Sequence, residues 1–292
     1  MAEITAALVK ELRERTGSGM MECKRALQET GGDIETAVEL MRKAGQAKAD
    51  KKASRVAAEG LIVIRQAAGA AAMVEVNCET DFVTKNDDFR AFADAVAEAA
   101  LNGAPVDLDA LLALGMADGQ SLEQNRRDCI AKIGENINVR RFARLASAKG
   151  VLGCYLHGTR IGVLVELEGG DVELARDIAM HVAASRPLCV SADQVPADLI
   201  AKEKEIYAAR AVAEGKPANM IDKIAEGRLR KYFEEVTLLG QAFVKDPDRS
   251  VDELLKSRKA RVVRFDRFEL GEGIEKKADN FAAEVMAQVR GD

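Results

Sequence analysis

The sequence predicts an α+β fold, and three observations carry that reading. A strand–turn–strand pattern followed by an Ala-rich amphipathic helix occurs twice along the chain. Each copy closes on a related strand, Val139-Arg-Arg-Phe-Ala-Arg and Val262-Val-Arg-Phe-Asp-Arg, identical at four of six positions. Around the two copies the apolar spacing is helical instead. Such an internal match predicts two related half-domains, each a small antiparallel sheet covered by helices.

Residues 1–45 read as three short helices. Ile4, Leu8, Val9 and Leu12 form the stripe of the first, which breaks at Thr16-Gly17-Ser18-Gly19. The second spans Met20 to Glu29 and stops at Gly31-Gly32; Asp33 caps the third, with Ile34, Ala37, Val38 and Met41 inward. A module this small resembles the ubiquitin-associated fold, in which the first interhelical loop often carries an exposed apolar pair. Here that position holds Met20-Met21, either packed within the bundle or offered as an adaptable contact. Residues 46–59 are Ala/Lys-rich without a strong apolar face and read as a linker with room for partial helix.

Half-domain 1 is expected over 60–147. Its hairpin is Gly60-Leu-Ile-Val-Ile-Arg, a turn near Gly69, and Ala72-Met-Val-Glu-Val; its helix begins near Phe89. Half-domain 2 is expected over 148–185 and 237–270, its hairpin turning at Gly158 and its helix beginning near Val172. Residues 186–236 read as an inserted antiparallel helical hairpin turning at Gly215-Lys216-Pro217. Ile200, Ile206, Ile221, Ile224 and Leu229 are spaced for its seam. Such an arm suits partner contact or self-association. Residues 271–292 read as a turn and a C-terminal amphipathic helix.

The two copies differ between hairpin and helix. The first is longer by a stretch containing Thr80-Asp81-Phe82-Val83, whereas the second passes directly through Glu168-Gly169-Gly170-Asp171. Folding alone does not require the extra residues. A loop that presents Phe beside Asp either folds its ring back onto the core or holds it out for another macromolecule.

Composition narrows the function classes. The formal charge of −5 and interspersed acids argue against a nucleic-acid surface as the main business. No apolar run approaches the length of a membrane span. Five scattered cysteines without a Cys-x-x-Cys pair suit reduced thiols in a cytoplasmic protein. Of the two histidines, His181 falls inside an Ala-rich helix, and Cys154-x-x-His157 has ligand spacing but no second pair. Phosphate-binding glycine loops and nucleophile elbows are absent. The expectation is a non-enzymatic protein without a cofactor or metal.

Five stretches together resemble the bacterial elongation factor Ts family. They are Leu12-Arg-Glu-Arg-Thr-Gly-Ser-Gly-Met-Met-Glu-Cys-Lys-Arg-Ala-Leu27, Val76-Asn-Cys-Glu-Thr-Asp-Phe-Val83, His157-Gly-Thr-Arg-Ile-Gly-Val163, Ala179-Met-His-Val-Ala-Ala-Ser185 and Arg267-Phe-Glu-Leu-Gly-Glu-Gly-Ile-Glu-Lys276. The resemblance spans nearly the whole chain and is weakest over 100–130. It implies a guanine-nucleotide exchange factor for the GTPase elongation factor Tu. In that family the Asp-Phe of the motif, here Asp81 and Phe82 with Thr80 and Val83 beside them, enters the GTPase next to its magnesium. The disturbed ion and phosphate loop then let GDP leave. The resemblance also implies partner contacts through Met20 and Met21, the His157 neighbourhood and the C-terminal helix. The competing expectation is a protein-binding adaptor that uses its N-terminal helical module and packs the Asp81-Phe82 loop on its own core.

Overall fold

The computed structural model describes residues 4–116 and 119–275. Helices α1 (Ala6–Thr16), α2 (Met20–Glu29) and α3 (Ile34–Lys52) form the N-terminal module. Thr5 caps α1 by accepting from Leu8 N, Gly17 ends it at φ 64°, and Asp33 caps α3 by accepting from Thr36 N. Val9, Leu12, Cys23, Leu27 and Ala37 make its small core. The stretch read as a linker is helical as far as Lys52. Its Ala49 is buried in the core under the first sheet, which supplies the apolar contact that its composition lacks.

Strands β1 (Glu59–Ala67), β2 (Ala70–Cys78) and β3 (Asn138–Ala146) form one antiparallel sheet in the order β1-β2-β3. Between β2 and β3 lie α4 (Asp87–Gly103), α5 (Leu108–Ala113) and α6 (Leu122–Ile133). Strands β4 (Val151–His157) and β5 (Ile161–Glu168) are followed by α7 (Val172–Ser185). The chain then makes the arm, α8 (Ala197–Ala213) and α9 (Ile221–Val236). It returns through a short ribbon, β6 (Ala242–Phe243) and β7 (Asp246–Ser250), and α10 (Val251–Ser257) to β8 (Arg261–Glu269). The second sheet has the order β4-β5-β8, so the strand connectivity of the first is repeated. The repetition extends to register. Glu75 faces Arg141 and Glu166 faces Arg264, and each sheet has a bulge immediately after its glutamate.

Alternation along the strands builds three cores. Leu61, Val63, Val74 and Val76 face α4 and α6, while Val163, Val165 and Leu167 face α7. The opposite faces, with Ile62, Met73, Leu145, Leu164 and Phe268, pack sheet on sheet. The architecture is therefore helices, sheet, sheet, helices, and β2 is buried almost end to end. Of the expected arm seam, Ile200, Ile221, Ile224 and Leu229 are half-buried, and Ile206 departs from it. Ile206 is 47% exposed, and the residues buried within the two helices are Ala211 and Ala225, whose small side chains let the backbones approach. The expected C-terminal helix lies outside the described residues.

Candidate functional site

The extra stretch of the first copy is an ordered turn. After β2 ends at Cys78, residues Asp81–Lys85 make a single 3₁₀ turn that leads into Asn86, the cap of α4. Thr84 Oγ1 donates to the Asp81 carbonyl at 2.6 Å, and Arg90 Nε donates to the Thr84 carbonyl at 2.7 Å. Asn86 Oδ1 accepts from Asp88 N and Phe89 N, fixing where the helix starts.

Within this turn the residues divide by direction. Phe82 is 78% exposed, and Thr80 and Asp81 are also exposed. Val83 points the other way, buried among Phe89, Phe92 and Val96 in the core beneath the sheet. Val83 thus anchors the turn inward, and the outward-facing set is Thr80, Asp81 and Phe82.

A second segment holds the base of the turn. Glu135 Oε2 accepts from Glu79 N at 3.0 Å and Thr80 N at 2.9 Å, and its Oε1 accepts from Thr80 Oγ1 at 2.6 Å. Glu79 answers by accepting from Asn136 N at 2.6 Å and pairing with Arg55 at 3.4 Å. Beneath them the Cys78 thiol donates to the Thr80 carbonyl. Burial pushes that thiol up to about 12, with the charges of Glu135, Glu59 and Asp81 adding to the effect, so it is a neutral donor. Phe82 and Asp81 overlook a groove of about 830 Å³ also lined by Arg55, Val56, Glu59 and Arg160.

The other sequence-predicted positions stand apart. Met20 and Met21 open α2 and are 60% and 67% exposed, so neither packs inside the bundle. His157 ends β4, exposed, with Nδ1 3.2 Å from Tyr155 Oη, beside a separate cavity of about 500 Å³ lined by Met180, Arg186 and Val244. Cys154 sits three residues back along the strand, packed against the intersheet core, so Cys154 and His157 point to opposite faces. Among the described residues no group of three His, Cys, Asp or Glu side chains could hold a metal ion. No helix among them is long and apolar enough to cross a membrane. His181 is fully buried and satisfied, with Nε2 3.0 Å from Gln241 Oε1 and Nδ1 accepting from Val244 N.

Sequence reasoning missed Glu135, Asn136 and Arg55. The one trace Glu135 and Asn136 leave is the helix stop Ile133-Gly134 just before them, Gly134 standing at φ 86°.

Comparison with known proteins follows the same stretch. A family model described as elongation factor TS matches residues 79–272, beginning at the base of the turn. Elongation factor Ts of Methylococcus capsulatus is 65% identical over 98% of this chain and 99% of its own length. The protein of the same name from Thioalkalivibrio sulfidiphilus is 62% identical over 99% of each chain, and that from Legionella pneumophila 56% over 99% of this chain and 100% of its own. With relatives this similar end to end, and with a family model running from the turn through β3, the second sheet and the arm, the chain belongs to the elongation factor Ts family of translation elongation factors.

Proposed function

We propose that this chain is a guanine-nucleotide exchange factor that acts on elongation factor Tu. Asp81 and Phe82 enter the GTPase beside its magnesium and phosphates, so that GDP leaves and GTP binds in its place. The observation that carries the reading is Phe82, a large ring held in solvent on a turn whose base is fastened at several points. The adaptor alternative drew on a ring folded back onto its own core, and the exposure of Phe82 removes that support.

The energetics assign the work among the parts. Exchange requires tighter binding to the empty or distorted GTPase than to the loaded one, and the coupling is reciprocal: GDP loosens the factor as much as the factor loosens GDP. A ten-thousandfold acceleration corresponds to roughly 5.5 kcal/mol of differential interaction. Burying one Phe ring contributes roughly 1.5–3 kcal/mol, so the ring needs a wider interface to hold it in place. Exposed Met20 and Met21 and the His157 face are separate docking points suited to that role. The test is release of a fluorescent GDP from elongation factor Tu. Wild-type chain should accelerate it and Phe82→Ala should lose about one to two decades of that acceleration. Equal stimulation by the two would overturn the wedge role.

A further inference from the structure

We propose that Glu135 is the positioning residue of the Asp81–Phe82 turn. This inference rests on the exchange reading above and assigns a role to a residue outside the outward-facing set. The pairing of β1 with β2 ends at Glu59 and Cys78, and that of β2 with β3 ends at Asn77 and Asn138. The next two amides, Glu79 N and Thr80 N, have left both ladders, and both donate to one carboxylate oxygen of Glu135. Its second oxygen takes the Thr80 hydroxyl. The carboxylate stands in for the missing strand, which sets the direction in which the chain leaves the sheet.

The grip is reciprocal. Glu79 accepts from Asn136 N, and Asn136 Nδ2 donates to the Arg55 carbonyl at 2.8 Å, just beyond the end of α3. Lys52, the last residue of α3, donates to the Gly134 carbonyl. The segments 52–55, 79–80 and 134–136 therefore form one knot, and it joins the N-terminal module to the turn that carries Phe82. Charge-assisted bonds to consecutive backbone amides fix a segment's pose before binding, so less ordering remains to be done in the complex.

The experiment measures stimulated GDP release from elongation factor Tu across factor concentrations. It compares wild type, Glu135→Ala, Glu135→Gln, Phe82→Ala and the double variants. Loss of the clamp should lower the maximal rate by roughly tenfold to a hundredfold in Glu135→Ala, the scale of a small misplacement at a reacting centre. The half-saturating concentration should move little, because the other docking points are intact. Glu135→Gln keeps one acceptor oxygen and should fall between Glu135→Ala and wild type. In the Phe82→Ala background neither Glu135 change should lower the rate further, since a residue that acts through the ring has nothing left to position. Wild-type rates in both Glu135 variants, or losses that add to that of Phe82→Ala, would overturn the proposal. Should Glu135→Ala fail to fold, the Glu135→Gln cycle decides by the same criterion. Phe82→Ala at the wild-type rate would overturn the wedge role on which this proposal depends, whereas no acceleration by wild type would overturn the exchange reading itself.

Discussion

Arg141 Nε donates to Glu75 Oε2 at 2.6 Å across the β2–β3 pair, and Arg264 meets Glu166 at 3.1 Å in the equivalent place of the second sheet. The copies have diverged in burial. The Glu75 side chain is fully buried, whereas Glu166 retains some exposure and Arg264 is half exposed. Glu75 has also gained partners. Its Oε1 accepts from Arg140 at 3.0 Å and from Gly271 N at 2.8 Å, so the segment following β8 is fastened to the first sheet.

Burial raises the Glu75 pKa, but the Gly271 amide and the two guanidinium groups outweigh it and hold the carboxyl below its ordinary 4.5. Above that value both folded and unfolded chains carry the charge, and its bonds contribute in full. As pH falls below it, the unfolded chain takes up the proton first and stability is lost. Glu75→Gln should therefore destabilise the protein at pH 7 by about 3 kcal/mol, the scale for breaking a buried ion pair on one side. The gap from wild type should narrow in denaturant titrations carried from pH 7 to pH 4. A gap independent of pH would show that the charge at Glu75 does not carry the effect.

Phe82 and Phe89 lie on either side of Asn86 and make opposite predictions for stability. Phe89 is fully buried in the core under the first sheet, and Phe82 is in solvent. Phe89→Ala should cost about 3–5 kcal/mol. Phe82→Ala should stay within about 0.5 kcal/mol of wild type. A thermal melt of the two variants reads the difference. A large loss in Phe82→Ala would mean that its ring is packed in solution.

Much of this was legible in the chain itself. The apolar, β-branched runs Leu61 to Ile64 and Ile161 to Leu167, each beside a glycine turn, mark strands, and comparing the copies isolates the extra turn as a length difference. Glu135 was not legible. Its partners are more than fifty residues away, and an acid after a helix-stopping glycine reads as ordinary surface charge. The sequence groups Val83 with its neighbours, but the 3₁₀ turn sends adjacent residues in divergent directions and its side chain is buried. Ile206 fits the period of a seam, but period does not decide which face the partner helix meets, and Ala211 and Ala225 took that place. Nothing in Ala242–Phe243 or Asp246–Ser250 alternates for long enough to announce the ribbon.

His181 ties α7 to that ribbon, and its protonation should weaken the second sheet's core. Burial lowers its pKa below the ordinary 6.5, against the opposing hydrogen bond to Gln241. Nδ1 accepts from Val244 N, so the ring is neutral there. Below about pH 6.5 the unfolded chain gains a proton that the folded chain refuses, and stability falls with pH. His181→Gln should flatten the slope of stability between pH 7.5 and 5.5. An unchanged slope would place the titration elsewhere.

Two glycines test how closely the layers approach. A Cβ on Gly153 would lie 2.3 Å from the backbone of Ala175, where β4 passes under α7. A Cβ on Gly162 would lie 2.5 Å from Met73 Sδ and 2.7 Å from Ile62 Cγ2, between the two sheets. Neither position needs a left-handed backbone, so an added methyl acts through packing alone. The Ala175 backbone cannot retreat without moving α7 off its sheet, whereas Met73 can change rotamer at small cost. Gly153→Ala should lose about 1–3 kcal/mol or more. Gly162→Ala should lose less, because part of its clash is with a flexible side chain. Denaturant midpoints of the two variants give the order. A larger loss at Gly162 would show that the intersheet layer, not the helix–sheet contact, is the tighter of the two.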